Sequence, residues 1–469
     1  MLKFFESAIN RAIFMVLCFV LFIFFKWQDI SLPYFWDEMA GYMSGVVYMQ
    51  DYGISILPTA VPPELSYGHP LLMHATMACM AELFGNTPTV MHLTTLGFTF
   101  LLALGTYLLV VQLSSNHLIG LLSYVILLFQ PIVIAQSTQV LLEVFLAMHT
   151  VYALLFYFRK QYALSAFFTL CAVMTKETGL VLAIAMMVVL LIDYFKDKDI
   201  RAFAYKFLLF DIPFLVFAGF LMLQKAAYGW YLNPTNVGKS KLELESMVQK
   251  FWDYPVQFSF VDQGRISFTV VLLVALFTGI RRSDIFGGNY RSSRILIPVF
   301  IAGFSVFSVI ADAHERYFLS LIPLVSAAFA WSIYTITKNH LDRMPLALIL
   351  CLNSNIMNFN NGYRYRDADL SYRDMVSTNQ SIFNFVNSGQ FAQDTISWAF
   401  PLKLAPVDKR YGYFDTLKFI PDTTFRSDAP YKVYCTPGNI DWNPPDTNEY
   451  QLIQSYRSAY SGSYLYKKF

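Results

Sequence analysis

Long apolar runs, broken by short polar or charged connections, dominate the first three quarters of the chain. A helix needs about 20 mostly apolar residues to cross a bilayer, fewer where flanking residues help. On that measure the runs 12–25, 91–113, 118–135, 144–158, 162–175, 179–195, 203–224, 266–280, 295–311, 318–337 and 344–357 predict about eleven crossings. The first run follows Lys3 and Arg11 and is not succeeded by a small-residue cleavage site, so it is expected to persist as the first helix. A further run, 71–84, opens after Pro70 and contains His74 and Glu82. It is too short for a comfortable span and suits a helix lying along the membrane surface.

The basic residues decide how these runs thread. Clusters sit at Arg159-Lys160, 196–201, 281–294 and 338–343. If 71–84 does not cross, every cluster falls on the side of Lys3 and Arg11, as positive charge near cytoplasmic loops requires. The opposite side then collects the segment 26–90, where Lys26 is the one Lys or Arg against six acids. After residue 358 the pattern changes. Residues 359–469 hold 12 Lys/Arg and 11 Asp/Glu, many tyrosines and no spanning run. Short strand-like stretches between Pro, Gly and Asp turns there predict a small α+β domain outside the membrane. The expected division is therefore an all-α polytopic domain, 1–358, and an extracytoplasmic C-terminal domain, 359–469.

Composition agrees with a membrane protein: 56% hydrophobic, 17% aromatic and 14% charged over 469 residues. A net charge of +2 gives no case for a nucleic-acid partner. The five cysteines, at 18, 79, 171, 351 and 435, show no metal-like spacing. Walker, dinucleotide, zinc-protease and serine-hydrolase motifs are absent from the sequence.

The candidate chemistry lies in the connections on the acidic side. Asp37 and Glu38 follow Trp36 and stand between Tyr34 and Tyr42. Acids beside a membrane are costly unless they stay wet or find partners, so this pair is either a solvated loop or a polar site. Lys176-Glu177 occupies a tight connection between two apolar runs, as an ion pair or as an ammonium offered to an anionic headgroup. Asp312, His314, Glu315, Arg316 and Tyr317 crowd another connection, and an Arg fork suits phosphate. Arg265 opens a span, as a snorkelling anchor or a second phosphate ligand. His69 precedes Pro70 at the mouth of the surface helix, as a cap or a ligand contact. Glu143 begins a span, where it favours the helix dipole or faces a cavity.

Taken together, Trp36-Asp37-Glu38, Gly68-His69-Pro70, Gln139 to Glu143, Thr175-Lys176-Glu177 and Glu315-Arg316-Tyr317-Phe318-Leu319 followed by Pro323 resemble the GT-C superfamily of membrane glycosyltransferases. The branch is that of protein O-mannosyltransferases and the bacterial enzyme that adds aminoarabinose to lipid A. These segments cover roughly residues 10–335 in the family's order. The resemblance implies a GT-C fold and a polyprenyl-phosphate-linked sugar donor. It also implies inverting transfer to an envelope acceptor (lipid, glycan or protein) on the outer face of a bacterial inner membrane. Asp37 would be the general base, Glu38 its support, Glu143 the acid of the second loop, and Lys176 and Arg316 the donor-phosphate ligands. His69, Glu177, Arg265, His314 and Tyr317 complete the expected substrate site. A divalent cation is the one cofactor it allows, with Glu38 and His69 as candidate ligands. The sequence departs from the pattern at Glu143, where the family more often has Asp, and after His69, where one proline stands for two. A transporter or polymerase of lipid-linked saccharides is the alternative; it would carry its ionisable residues near mid-span.

Overall fold

In the computed structural model, the described residues are 5–234, 243–278, 293–310, 314–357, 368–424, 428–437, 446–459 and 461–469. Helices α1 (Ala8–Lys26), α4 (Pro88–Ser114), α5 (His117–Leu128), α7 (Leu142–Phe158), α8 (Tyr162–Thr175), α9 (Leu180–Asp197), α10 (Ile200–Tyr228), α12 (Ile266–Phe277), α13 (Ser293–Ile310), α14 (Ile322–Thr337) and α15 (Met344–Met357) account for the eleven expected runs. Between α1 and α4 stand α2 (Ser44–Tyr52) and α3 (Leu72–Phe84), the latter a helix over the expected run 71–84. The short helices α6 (Pro131–Gln136) and α11 (Leu244–Phe251) complete the bundle.

Among the described residues, four segments are long and apolar enough to cross a membrane: Ala8–Asp29, Pro88–Ser114, Glu177–Asp197 and Ile200–Tyr228. A fifth qualifies only as the pair Leu244–Gly264 and Ile266–Phe277, which bends by 112°. The helices of the other expected runs are shorter, so the count of eleven crossings is not established by helix length. One expected run differs in kind. Residues 118–135 form two helices, because Pro131 starts a new helix and cannot continue the N–H ladder of α5. Local signals set the other ends. Thr87 caps α4 by accepting from Val90, and Asn116 caps α5 by accepting from Leu118 and Ile119. Ser115, Lys160 and Lys198 take left-handed backbone in the tight turns at the end where the basic clusters gather. The 281–292 part of one cluster, and Asp312, lie outside the described residues.

The C-terminal part holds α16 (Tyr372–Val386) against a five-stranded mixed sheet of order β2-β1-β3-β5-β4. Its strands are β1 (Thr395–Trp398), β2 (Ile420–Asp422), β3 (Tyr431–Pro437), β4 (Tyr450–Arg457) and β5 (Ser461–Lys468). Val433 and Leu465 pair across β3 and β5 and face the helix with Ile382 and Phe383 in the core. That core does not stop at the domain boundary. Tyr34, Phe35 and Met39 belong to the same buried cluster as Phe383, Trp398 and Leu465. Phe35 stacks on Tyr372 at 5.3 Å, while the Tyr34 N–H donates to the Tyr411 carbonyl and the Tyr34 carbonyl accepts from the Tyr413 hydroxyl. A buried ionic knot seals the seam: Asp29 pairs with Lys26 and accepts from the Tyr372 hydroxyl and from Arg373 at 2.7 and 2.9 Å. The sheet domain is thereby seated on the loop that carries the acid pair.

Candidate active site

Asp37 begins at a strained corner. Trp36 has φ 49°, rare for a bulky side chain. Just past Asp37 the backbone winds as a π-helix, Glu38–Met43, before relaxing into α2. Wide π turns are rare and are frequently found at functional sites. Tyr67, itself at φ 52°, donates its hydroxyl to Oδ1 of Asp37 at 3.3 Å. Burial first, then the Asp37 charge, push that phenol well above its ordinary range, so it serves as a neutral donor. Its ring lies so close over Gly41 that a Cβ there would come within 2.0 Å of it. Glycine is therefore required on the face of the π-helix that receives Tyr67.

Three further segments deliver charges to this corner. Arg316, in the 3₁₀ turn before α14, donates from Nη2 to Oδ2 of Asp37 at 2.7 Å. Its Nε stands 3.5 Å from Oε1 of Glu143, in the first turn of α7. Lys176, at the end of α8, donates to the same oxygen at 2.8 Å, with its ammonium 3.3 Å from the centroid of the Tyr317 ring. Both cations and Glu143 are nearly fully buried. Among the described residues, Oε2 of Glu143 has no hydrogen-bond partner, leaving acceptor capacity inside the cluster. A cleft with room for about one water, about 10 Å³, opens among Trp36, Asp37, Glu38, Gln139 and Arg316.

The other expected residues sit around this core. His69 pairs with Glu177, Nδ1 lying 2.8 Å from Oε2, next in sequence to Lys176. Gly68 before it lies under the Trp230 ring, where a Cβ would meet that ring at 3.1 Å. His314 is exposed and meets Tyr317 edge-on at 5.4 Å. Glu38 does not point with Asp37; its Oε1 accepts from Val140 N–H and meets His92 Nε2. Arg265 is fully buried, donating to the Gln130 side chain, the Phe258 carbonyl and the Gln263 side chain at 2.7, 2.6 and 3.0 Å. All three of its nitrogens are thus committed to protein acceptors, which join the break before Pro131 to the bend before α12. Phe258 in turn packs on Phe318, beside Arg316. Glu38 and His69 lie in separate pairs, and among the described residues no three His, Cys, Asp or Glu side chains converge as a metal site.

Three contributors were not singled out from sequence. Tyr67 and Gly41 act through shape, and His92 sits in an apolar run as an ordinary buried histidine would. The fourth surprise is Phe400 of the sheet domain, whose ring meets Trp36 at 4.8 Å, next to Asp37.

No family profile matches the chain, and no curated protein matches it by sequence. Solved structures do. The crystal structure of ArnT from Cupriavidus metallidurans bound to undecaprenyl phosphate superposes with a TM-score of 0.62 at 12% identity, covering 98% of each chain. The apo form of the same protein gives 0.59 at 11%, covering 97% of this chain and 98% of ArnT. In fold, this chain is similar to ArnT from end to end. The likeness includes the C-terminal sheet domain, since the coverage leaves no part of that size unmatched. The all-α bundle with a small α+β C-terminal domain expected from sequence is thus the one adopted, in an ArnT-like fold, and its apolar helices make the chain an integral membrane protein.

Proposed function

We propose that this protein transfers a sugar from a polyprenyl-phosphate donor, of the undecaprenyl type, to an acceptor hydroxyl at one face of the membrane. The observation that carries this reading is the single network Asp37–Arg316–Glu143–Lys176, in which a carboxylate base and two cations meet beside a cleft. ArnT supports the donor class, because it binds undecaprenyl phosphate in the same fold. In the reaction, the acceptor oxygen attacks the anomeric carbon while Asp37 takes its proton, and the bond from that carbon to the phosphate oxygen breaks. The leaving polyprenyl phosphate gains one negative charge, which Arg316 and Lys176 are placed to receive. Tyr67 orients the base. Inversion follows from a single displacement with the base on the face opposite the leaving group.

The acceptor is an envelope lipid, glycan or protein, and the network faces the periplasm of a bacterial inner membrane, a side that the basic turns at the other end of the helices support. The charges gather at one end of the helices rather than at mid-span, which favours transfer over transport. Mass spectrometry of envelope lipids and glycans, from cells with and without the protein, tests the reading. One glycosylated species should vanish, and detergent-solubilised wild-type protein should convert donor to undecaprenyl phosphate when the acceptor fraction is added. Loss of every product of a lipid-linked saccharide, with no conversion in detergent, would point to a transporter instead.

A further inference from the structure

Beneath Asp37 a buried joint ties the loop of the acid pair to the loop that leads into α7. Oε1 of Glu38 accepts the N–H of Val140 at 2.8 Å and lies 3.0 Å from Nε2 of His92, in the first turns of α4. The other ring nitrogen, Nδ1, lies 3.0 Å from the carbonyl oxygen of Ile30. A carbonyl oxygen has no proton to give, so Nδ1 carries one and donates it. Nε2 then either holds a second proton facing a carboxylate, or accepts from a carboxylic acid. In both cases the pair is neutral as a whole and held by a hydrogen bond. Both side chains are nearly fully buried, where an unpartnered carboxylate would be costly. Tyr34 fixes the ring from its edge at 5.4 Å, and its own backbone is tied to the sheet domain.

The joint lies between the two halves of the site. On one side Glu38 follows Asp37 directly. On the other, Val140 stands three positions before Glu143, the carboxylate that gathers Lys176 and Arg316. We propose, resting on the transfer reading above, that His92 is a positioning residue: it locks Glu38 as a strut between the two loops and so holds Asp37 against the Arg316–Glu143–Lys176 group. It touches neither donor nor acceptor. The strut explains why the acid pair is two residues and not one: Asp37 does the chemistry and Glu38 the bracing.

Three measurements on the full-length protein test this. In hydrogen exchange, the segment 137–141 should exchange faster in His92→Phe and in Glu38→Gln than in wild type, and at the wild-type rate in His92→Gln, whose amide can still donate to Glu38. In membranes of deletion cells, formation of the species lost without the protein should fall about tenfold or more in His92→Phe and in Glu38→Gln. The double variant should be no worse than the weaker single, because both changes cut one strut. Stabilisation of the purified His92→Phe protein by undecaprenyl phosphate should be retained, at or above the wild-type level, because an Asp37 held less firmly competes less for Arg316. Multiplying losses in the double variant, unchanged exchange at 137–141, or a His92→Gln protein as inactive as His92→Phe would each overturn the positioning role. Absence of any lost species and of undecaprenyl phosphate binding in wild type would sink the transfer reading alone, and exchange would still judge the strut.

Discussion

Arg316 and Asp37, 279 positions apart in the chain, are joined by a 2.7 Å bond from Nη2 to Oδ2. The base of the proposed reaction is therefore occupied by a cation proposed to hold the donor phosphate. A phosphate arriving at Arg316 competes with Asp37 for the same guanidinium, and the carboxylate it displaces is the one the acceptor needs. Under the proposed transfer, donor binding and base release would be one event, with the donor entering first.

This competition gives Asp37→Asn an unusual signature. Transfer should be abolished, since an amide takes no proton. Undecaprenyl phosphate should bind more tightly, by several-fold to about tenfold, because Arg316 no longer gives up a charge-assisted bond to receive it. Titration of the purified variant with undecaprenyl phosphate reads the effect. Weaker binding than wild type would show that Asp37 does not compete with the phosphate.

Removal of the cations should act the other way. Arg316→Ala and Lys176→Ala should each weaken undecaprenyl phosphate binding by about tenfold or more. Arg316→Lys should recover little, because one ammonium cannot hold Asp37 and lean on Glu143 as the planar fork does. Arg265→Ala should instead reduce the yield and melting temperature of folded protein, since its nitrogens serve Gln130, Phe258 and Gln263. A folded Arg265→Ala protein with normal melting and a selective loss of phosphate binding would place Arg265 among the ligands after all.

Gly41→Ala tests the shape of the corner without touching a charge. The added methyl would lie 2.0 Å from the Tyr67 ring, so ring or π-helix must move. Transfer should fall by about 100-fold, the scale of a displacement of about 1 Å at a reacting group. Tyr67→Ala in the same chain makes room for the methyl and should remove most of the effect of the glycine change. Equal losses in both backgrounds would mean that Gly41 matters for another reason.

Much of this was legible in the sequence because membrane cost is a local signal. Lys176, Glu143 and Arg316 stand out where only apolar residues would be cheap, and the structure brings all three together at Asp37. The run 71–84 reads as a short helix on Pro70 and length alone, and forms Leu72–Phe84. What stayed hidden depends on distant partners. Arg265 looks like Arg316 from its neighbours, yet its acceptors include Gln130, 135 positions away. His92 in an apolar run gives no sign that Glu38 will meet it. Nor does composition tell that Tyr372 and Arg373 will close on Asp29, over 340 positions earlier, and seat the sheet domain on the site.

That seat makes the last prediction. Among the described residues, two ionic contacts join the sheet domain to the segment around the acid pair, and their acids differ in burial. Asp29 is buried with Lys26 and Tyr372, and Arg373 closes on it from a partly exposed position, whereas the exposed Asp51 meets Arg410 at the rim in a two-pronged pair of 2.9 and 2.7 Å. Removing one partner of a buried ionic group leaves the others uncompensated, at about 3–5 kcal/mol. A rim pair contributes about 0–1 kcal/mol. Asp29→Ala should thus lower the melting temperature sharply and expose the 368–386 segment to protease, while Arg410→Ala should change either only slightly. The rim pair has its own mark in pH. Hydrogen bonds from Arg410 hold the Asp51 carboxyl below its ordinary range. Its small contribution is therefore present above the unfolded value of about 3.9 and is lost as pH falls through the lower folded value. Arg410→Ala should remove that acid-limb term and leave melting near neutral pH close to wild type. If Arg410→Ala frees the domain as readily as Asp29→Ala, the rim rather than the buried knot is what seats the sheet beside Trp36.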